Sequence, residues 1–338
     1  MIETGASRAE GLFGTLQGVT NFTRYRSGAL RSCMVNRENR IETGFGTLVP
    51  QYRSSDYGER QKKHRSAIDF HENGQIKSIA LDRQTELPTP MGMIPAELVT
   101  FYPDGALNRI FPLNGKVDGF WSEADERGMA VPIEFDLSIG AFAVKAISVR
   151  FFPSGNLKSV TFWPGESAII QTPVGPIQCR AGFSLHEDGS LSSLEPKVAT
   201  PVPTPVGLIQ AFDPEIIGMH ADTNSLQFDT GGRLTALKTI HTGIRLLDTD
   251  GNQAEIQPSE APSLIDPEQL RTIPMSLQFK AEEVWIEAES PAVFSLADKR
   301  FETFARTRTF RETCSDCPGD DTCCENNGSR SGCSGCQH

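Results

Sequence analysis

The chain has 338 residues, 38% apolar and 22% charged, the balance of a folded protein with enough length to bury a substantial core. Its formal net charge of -11 runs against an electrostatic nucleic-acid binder, because phosphate neutralisation needs clustered Lys and Arg. No apolar run approaches a membrane span, and the opening MIETGASRAEGLFGT lacks the pattern of a secretory signal, so the expected setting is the cytoplasm.

In chain order, a weak turn copy at Tyr25-Arg-Ser-Gly28 precedes Thr43-Gly-Phe-Gly46-Thr-Leu48 and a basic run, Arg60-Gln-Lys-Lys-His-Arg65. The basic run reads as a solvated loop or strand edge. A unit then recurs: an apolar marker, three residues rich in turn formers, Gly, one residue, a branched apolar residue, two residues and a further apolar one. It appears at 70–79 (FHENGQIKSI), 101–110 (FYPDGALNRI), 151–160 (FFPSGNLKSV), 185–194 (LHEDGSLSSL) and 228–237 (FDTGGRLTAL). Its first part appears at 111–117 (FPLNGKV), and a weaker copy surrounds Gly251.

Asn-Gly, Asp-Gly and Ser-Gly supply the positive φ that tight hairpins need, and the flanks partly alternate as half-buried strands do. Strict alternation puts Leu107 and Arg109 on one face and Ile110 on the other, which a bulge or a strand covered on both faces explains. Between hairpins lie Thr89-Pro-Met-Gly-Met-Ile94, Thr172-Pro-Val-Gly-Pro-Ile177 and Thr204-Pro-Val-Gly-Leu-Ile209, with Thr43–Leu48 as a degenerate first copy. Apart from Gly105 and Gly115, the marker glycines fall roughly 30 to 45 residues apart, less evenly than in a regular solenoid.

These features predict an all-β fold: an irregular array of antiparallel β-hairpins, open or solenoid-like, with a Cys-rich C-terminal tail. The body spans residues 1–256, a terminal β-rich segment packed on it spans 257–311, and the tail spans 312–338. Helix is confined to one short turn at 267–270. Residues 275–279 and 283–287 read as strands, while 299–311 is ambiguous between helix and strand.

Phe101-Tyr-Pro-Asp-Gly105 and then Asn114-Gly-Lys-Val-Asp-Gly-Phe-Trp121 resemble the MORN-like repeats of YwqK-family antitoxin-type proteins. That family repeats a Y-x-N-G-K-x-x-G-x-[WYF] phrase over successive hairpins. In this chain something close to the full phrase occurs once, with Phe111 one place further from the Asn than the family's aromatic. The resemblance implies an open hairpin array used as a scaffold or binding surface, and it supplies no catalytic residues. The Thr-Pro-x-Gly elements and the tail depart from it.

Six of the eight cysteines fall in the tail, at Cys314, Cys317, Cys323, Cys324, Cys333 and Cys336; Cys33 and Cys179 stand alone in the body. Two C-x2-C pairs flank an adjacent pair, and such turns let thiolates converge on one ion. Cys314, Cys317, Cys333 and Cys336 form the plainest four-sulfur set, and Cys323 and Cys324 remain as extra ligands or a redox pair. His338 offers a nitrogen. Zinc fits better than an iron–sulfur cluster, since no C-x2-C-x2-C run is present. Disulfides or a redox relay are the competing use of these thiols.

No G-x-S-x-G, H-E-x-x-H, Walker or G-x-G-x-x-G phrase occurs. His71 and His186 follow the marker in their units and read as exposed turn-flanking residues, and Glu72, Asp104, Glu187 and Asp188 read as turn residues. Trp121, Trp163 and Trp285 read as core or strand-face residues. The functional expectation is a non-enzymatic scaffold or binding module with a protein partner and a thiolate metal-binding tail. Its rivals are a metal- or redox-handling accessory protein, and an enzyme whose acidic and His side chains meet in a β cleft.

Overall fold

The computed structural model describes residues 8–11, 14–53, 60–62, 66–216, 224–247, 253–263, 266 and 269–306. The chain divides into two compact units, one of Met1–Ser259 with Ile273–Arg306, the other of Glu260–Thr272 with Thr307–His338.

Strands β1 (Arg8–Gly11) and β2 (Gly14–Gln17) pair as a ribbon, and β3 (Val19–Arg24) and β4 (Leu30–Val35) form the first hairpin of the main sheet. A small hairpin follows, β5 (Ile41–Thr43) and β6 (Gly46–Leu48). Next come β7 (Ile68–Phe70) and the long β8 (Ile76–Thr89). The end of β8 pairs with the start of β9 (Gly92–Phe101) as a second small hairpin, and the end of β9 pairs with β10 (Leu107–Phe111). Helix α1 (Glu123–Met129) precedes β11 (Ile133–Leu137) and β12 (Gly140–Val144).

Strands β13 (Ala146–Phe151), β14 (Leu157–Phe162), β15 (Ala168–Thr172), β16 (Gly175–Leu185), β17 (Leu191–Pro196), β18 (Thr200–Thr204), β19 (Gly207–Ala211), β20 (Leu226–Phe228) and β21 (Leu234–Thr239) continue the alternation. The last are β22 (Thr242–Leu247), β23 (Gln253–Ile256), β24 (Ser259–Pro262), β25 (Leu270–Ile273), β26 (Met275–Lys280), β27 (Glu283–Glu287), β28 (Ala292–Ser295) and β29 (Arg300–Ala305).

The main sheet is an antiparallel meander in the order β28-β27-β26-β21-β20-β17-β16-β14-β13-β10-β9-β8-β7-β4-β3, with β15 beside it on β16; none of the sheets closes into a barrel. Because each strand reverses its neighbour, the glycine turns line one edge of the sheet and the small hairpins leave from the other. The all-β hairpin array expected from the sequence is therefore the fold observed.

The six glycine turns share one geometry. The amides of Gly28, Gly74, Gly105, Gly155, Gly189 and Gly232 each donate to the carbonyl three residues back at 2.9–3.0 Å, with φ between +77° and +91°. This is a type I turn closed by a left-handed glycine, the three-residue hairpin loop with a bulge. The bulge resolves the broken alternation: register shifts between Leu107 and Arg109, so Leu107 and Ile110 both reach the core. The Asp or Asn within the turn accepts a nearby amide, as Asp104 Oδ1 does from Ala106 at 2.9 Å and Asp188 Oδ1 from Ser190 at 2.9 Å.

Residues 111–117 do not form a further hairpin. The amides of Asn114 and Gly115 donate to the carboxylates of Glu97 (2.8 Å) and Glu126 (2.6 Å) instead, and Gly115 is bridged to Lys62. The segment leads into α1, which Ser122 caps through a reciprocal bond with Asp125. Residues 300–305 form strand β29, and Leu270, expected in a helical turn, opens strand β25. The Gly251 copy and residues 267–268 lie outside the described residues.

In four small hairpins the Thr hydroxyl donates to the Gly carbonyl three residues on, at 2.6–2.8 Å, from Thr43, Thr89, Thr172 and Thr204. Two residues in from each turn sits a buried cross-strand pair: Ile41 with Leu48, Leu87 with Ile94, Ile170 with Ile177, Val202 with Ile209. These pairs join one hydrophobic core with an apolar row of the main sheet, Cys33, Ile68, Ile79, Val99, Ile110, Val149, Val160, Phe183, Leu194, Leu226, Leu237, Leu277 and Ile286, each in register with the next. Burying one such side chain contributes roughly 1.5–3 kcal/mol. In the second unit the described residues show β24 paired with β25, and Ser263 N donating to Gln269 O at 2.7 Å.

Candidate binding face

Next to every member of the apolar row, after it and before it on alternate strands, stands a residue of the opposite sheet face, because side chains alternate along a strand. These form a second unbroken row, in register from Thr23 through Ser32, Asp69, Ser78, Thr100, Arg109, Arg150, Ser159, Ser184, Ser193, Gln227, Ala236 and Gln278 to Trp285. Most of the row is polar. Neighbours bond along it: Thr23 to Ser32 at 2.6 Å, Ser78 to Asp69 at 2.7 Å, and Ser184 to Ser193 at 2.6 Å. Its centre, Ser159, Ser184 and Ser193, is buried.

Where the row crosses β7 to β13 the face opens into a cleft of about 720 Å³ lined by Asp69, Ser78, Thr100, Arg109 and Arg150 from the row itself. His71, Lys77 and Tyr102 add polar groups to its wall, and Leu98, Phe101 and Phe111 add apolar surface. A second, smaller cleft of about 480 Å³ lies at β20, β21 and β26 and includes Gln227, Ala236 and Gln278 of the same row. In the larger cleft the Asp69 carboxylate accepts from Ser66 Oγ at 2.5 Å and Ser78 Oγ at 2.7 Å, which orients both of its oxygens. Arg150 Nε donates to Asn108 Oδ1 at 3.2 Å.

The histidines do not stand exposed beside their turns. His71 Nε2 lies 3.0 Å from Phe101 O and His186 Nε2 lies 2.9 Å from Phe228 O, each the marker carbonyl of the following hairpin. A carbonyl only accepts, so Nε2 carries the proton in both rings. Tyr25 and Tyr102, in the same place in their turns, donate to Phe70 O (2.7 Å) and Phe151 O (2.9 Å). At these four turns the residue three before the glycine therefore stitches its hairpin to the next.

The basic run is likewise not a solvated edge where it is described. Arg60 forks between Glu97 (2.7 and 3.0 Å) and Glu126 (2.6 and 2.8 Å), both carboxylates being buried. Burial works to lower the Arg60 pKa, and the bonds from Glu126 and Glu97 outweigh it and raise it. Lys62 Nζ donates to Asp82 O at 2.6 Å and to Leu81 O. Burial lowers the Lys62 pKa.

Glu195 is a further buried carboxylate, accepting the amides of Asp213 and Ser225 at 3.0 Å each. Burial pushes it up to about 6. Burial also pushes the thiols of Cys33 and Cys179 up to about 12, which leaves both protonated and unreactive. Trp121 Nε1 donates to Glu126 at 2.6 Å, Trp163 is buried with Leu113 and Ala130, and Trp285 is exposed beneath Lys280.

Cys314, Cys317, Cys323, Cys324, Cys333, Cys336 and His338 lie outside the described residues. Among the described residues no three His, Cys, Asp or Glu side chains are grouped to hold a metal. No helix among them is long and apolar enough to cross a membrane. No family model and no curated protein matches this sequence.

The cleft residues escaped the sequence reading because they come from five strands. A signal did exist: Ser78, Arg109, Ser159, Ser193 and Ala236 each stand four residues after a turn glycine, and Asp69, Thr100, Arg150, Ser184 and Gln227 each stand just before a marker. Aligning the units on their glycines, then comparing these two columns, exposes the row.

Proposed function

We propose that the protein is a non-enzymatic binding module, with the main sheet as scaffold and the polar face around the β7–β13 cleft as the binding surface. One observation carries this reading: an in-register polar row opens into a cleft of about 720 Å³, within the usual size range of ligand sites. His71, His186, Asp104 and Asp188, the groups that would attract a catalytic reading, are committed to turn and inter-hairpin bonds. The resemblance to MORN-like hairpin arrays points the same way. The proposal extends to a cytoplasmic setting and to a C-terminal tail whose six cysteines hold a thiophilic ion, zinc ahead of iron–sulfur, on the strength of the two C-x2-C pairs.

A photo-crosslinking amino acid placed at Ser78, on the cleft wall, tests the surface in the full-length protein in cells; the same residue at Leu208, exposed on the small hairpin β18–β19, is the control. A discrete adduct at Ser78 and none at Leu208 is expected, and equal labelling or none at either position refutes the binding-face reading. For the tail, metal analysis of anaerobically purified protein should return at least one equivalent. Far less than one equivalent removes the metal role.

A further inference from the structure

The smaller cleft, of about 480 Å³ at β20, β21 and β26, offers mostly uncharged groups. Its two cations are already engaged. Lys238 Nζ pairs with Asp213 Oδ2 at 3.0 Å, and Lys280 Nζ lies 4.1 Å from the centre of the Trp285 ring. No carboxylate among the described residues lines the cleft. What remains unused is a set of neutral hydrogen-bonding groups. Thr235, Ser276 and Gln278 form no side-chain hydrogen bond among the described residues. Gln227 donates through Nε2 to Asn224 O at 3.1 Å, which leaves its Oε1 as an acceptor.

Ala236 shapes the space. It is the one member of the polar row whose side chain has no polar atom, and it stands in register between Gln227 and Gln278. Adjacent strands lie about 4.8 Å apart, so the two glutamines flank a slot roughly 10 Å across with a methyl group on its floor. A helix, about 10–12 Å wide with its side chains, does not enter such a slot, whereas a single six-membered ring does. Hydroxyls and primary amides both donate and accept hydrogen bonds, as sugar hydroxyls do. A pyranose carries such hydroxyls around its rim and C–H groups on its faces, which match the neutral walls and the apolar floor.

We propose that the β20–β21–β26 cleft is a carbohydrate site, in which a pyranose ring lies over Ala236 and its hydroxyls bond to Gln227 Oε1 and to the free side chains of Thr235, Ser276 and Gln278. The site shares the polar face with the β7–β13 cleft but none of its residues, so it adds to the binding-face reading without depending on it. The Ser78 crosslink reports on one cleft and saccharide binding on the other.

Calorimetric titration of the full-length protein tests it, with the methyl glycosides of glucose, mannose, galactose and N-acetylglucosamine, and with cyclohexanol as a ring that lacks the hydroxyl pattern. At least one glycoside should bind with Kd below about 10 mM, and cyclohexanol should not bind. Gln278→Ala should weaken binding about fivefold, as loss of one neutral hydrogen bond does. Ala236→Leu, which fills the slot, should abolish it, and Leu208→Ala, remote on the small hairpin β18–β19, should leave it unchanged. Because Lys280 both lines the cleft and lies over the Trp285 ring, the bound sugar should also shift tryptophan emission, and Trp285→Phe should remove that shift.

Should a cleft variant fail to fold, a diazirine derivative of the binding glycoside replaces it, with labelling of wild type expected within residues 226–239 and 275–280. Failure of all four glycosides to bind, equal binding of cyclohexanol, affinity indifferent to both Gln278→Ala and Ala236→Leu, or labelling confined to other segments overturns the proposal.

Discussion

Glu195 shows how this fold uses charge where no solvent reaches. Its two oxygens receive the amides of Asp213 and Ser225 at the point where the chain leaves the main sheet and returns to it, and the Arg180 guanidinium lies 3.6 Å away. Burial dominates over these partners and lifts its pKa from the usual 4.5 to about 6. The folded state therefore holds this proton more tightly than the unfolded chain does. The stability it contributes is complete below about pH 4.5 and is lost as pH rises through about 6. Glu195→Gln does not titrate, so the unfolding free energy of wild type relative to this variant should fall by on the order of 2 kcal/mol across that interval. Urea melts of both proteins from pH 4 to 7 would show it, and a difference that stays flat with pH would count against burial as the dominant cause. Cys33 and Cys179 answer to the same physics with a chemical readout. Protonated and buried, they should resist iodoacetamide in the native protein at about pH 8 and react only after denaturation, as peptide mass mapping can show.

At the scale of the element, the glycine turn is the part most legible in sequence, because its causes are local. A left-handed glycine, an Asp or Asn that accepts a nearby amide, and apolar residues on either side lie within ten residues of one another. The same cues mislead at Asn114-Gly115, where the dipeptide is drawn to Glu97 and Glu126, carboxylates remote in sequence, and no hairpin forms. The links between hairpins were illegible for a related reason, since their acceptors are backbone carbonyls of the next unit, 30 to 49 residues away. Those links can be edited in both directions. Tyr25→Phe removes the bond to Phe70 O and should cost about 1 kcal/mol in a denaturant melt. Phe152 occupies the linking position with no group to donate, and the equivalent marker carbonyl of the next hairpin is that of Leu185. Phe152→Tyr supplies the missing hydroxyl and keeps the ring beneath Lys158, so it should raise stability by about 0.5–1 kcal/mol. A loss in place of that gain would mean the links are incidental to the register.

For the whole molecule, what the sequence hides is the order in which hairpins pair. Composition and turns predict an all-β array, but the cleft exists only because β7, β8, β9, β10 and β13 are consecutive in the sheet. Asp69 and Arg150 become members of one wall through four intervening registers, none of which is written locally. The same meander order has a consequence for unfolding. Each main-sheet hairpin pairs only with its neighbours in chain order, as in arrays whose stability is a sum of local and nearest-neighbour contributions. Ile286 in β27 is almost wholly buried near one end of the sheet. Ile286→Ala should cost about 2–5 kcal/mol locally. If cohesion is passed from hairpin to hairpin, hydrogen exchange should accelerate in β26, β27 and β28 while β7 to β10 keep wild-type protection. A uniform loss of protection across the sheet would instead show that the unit opens all at once, with the apolar row acting as one core from end to end.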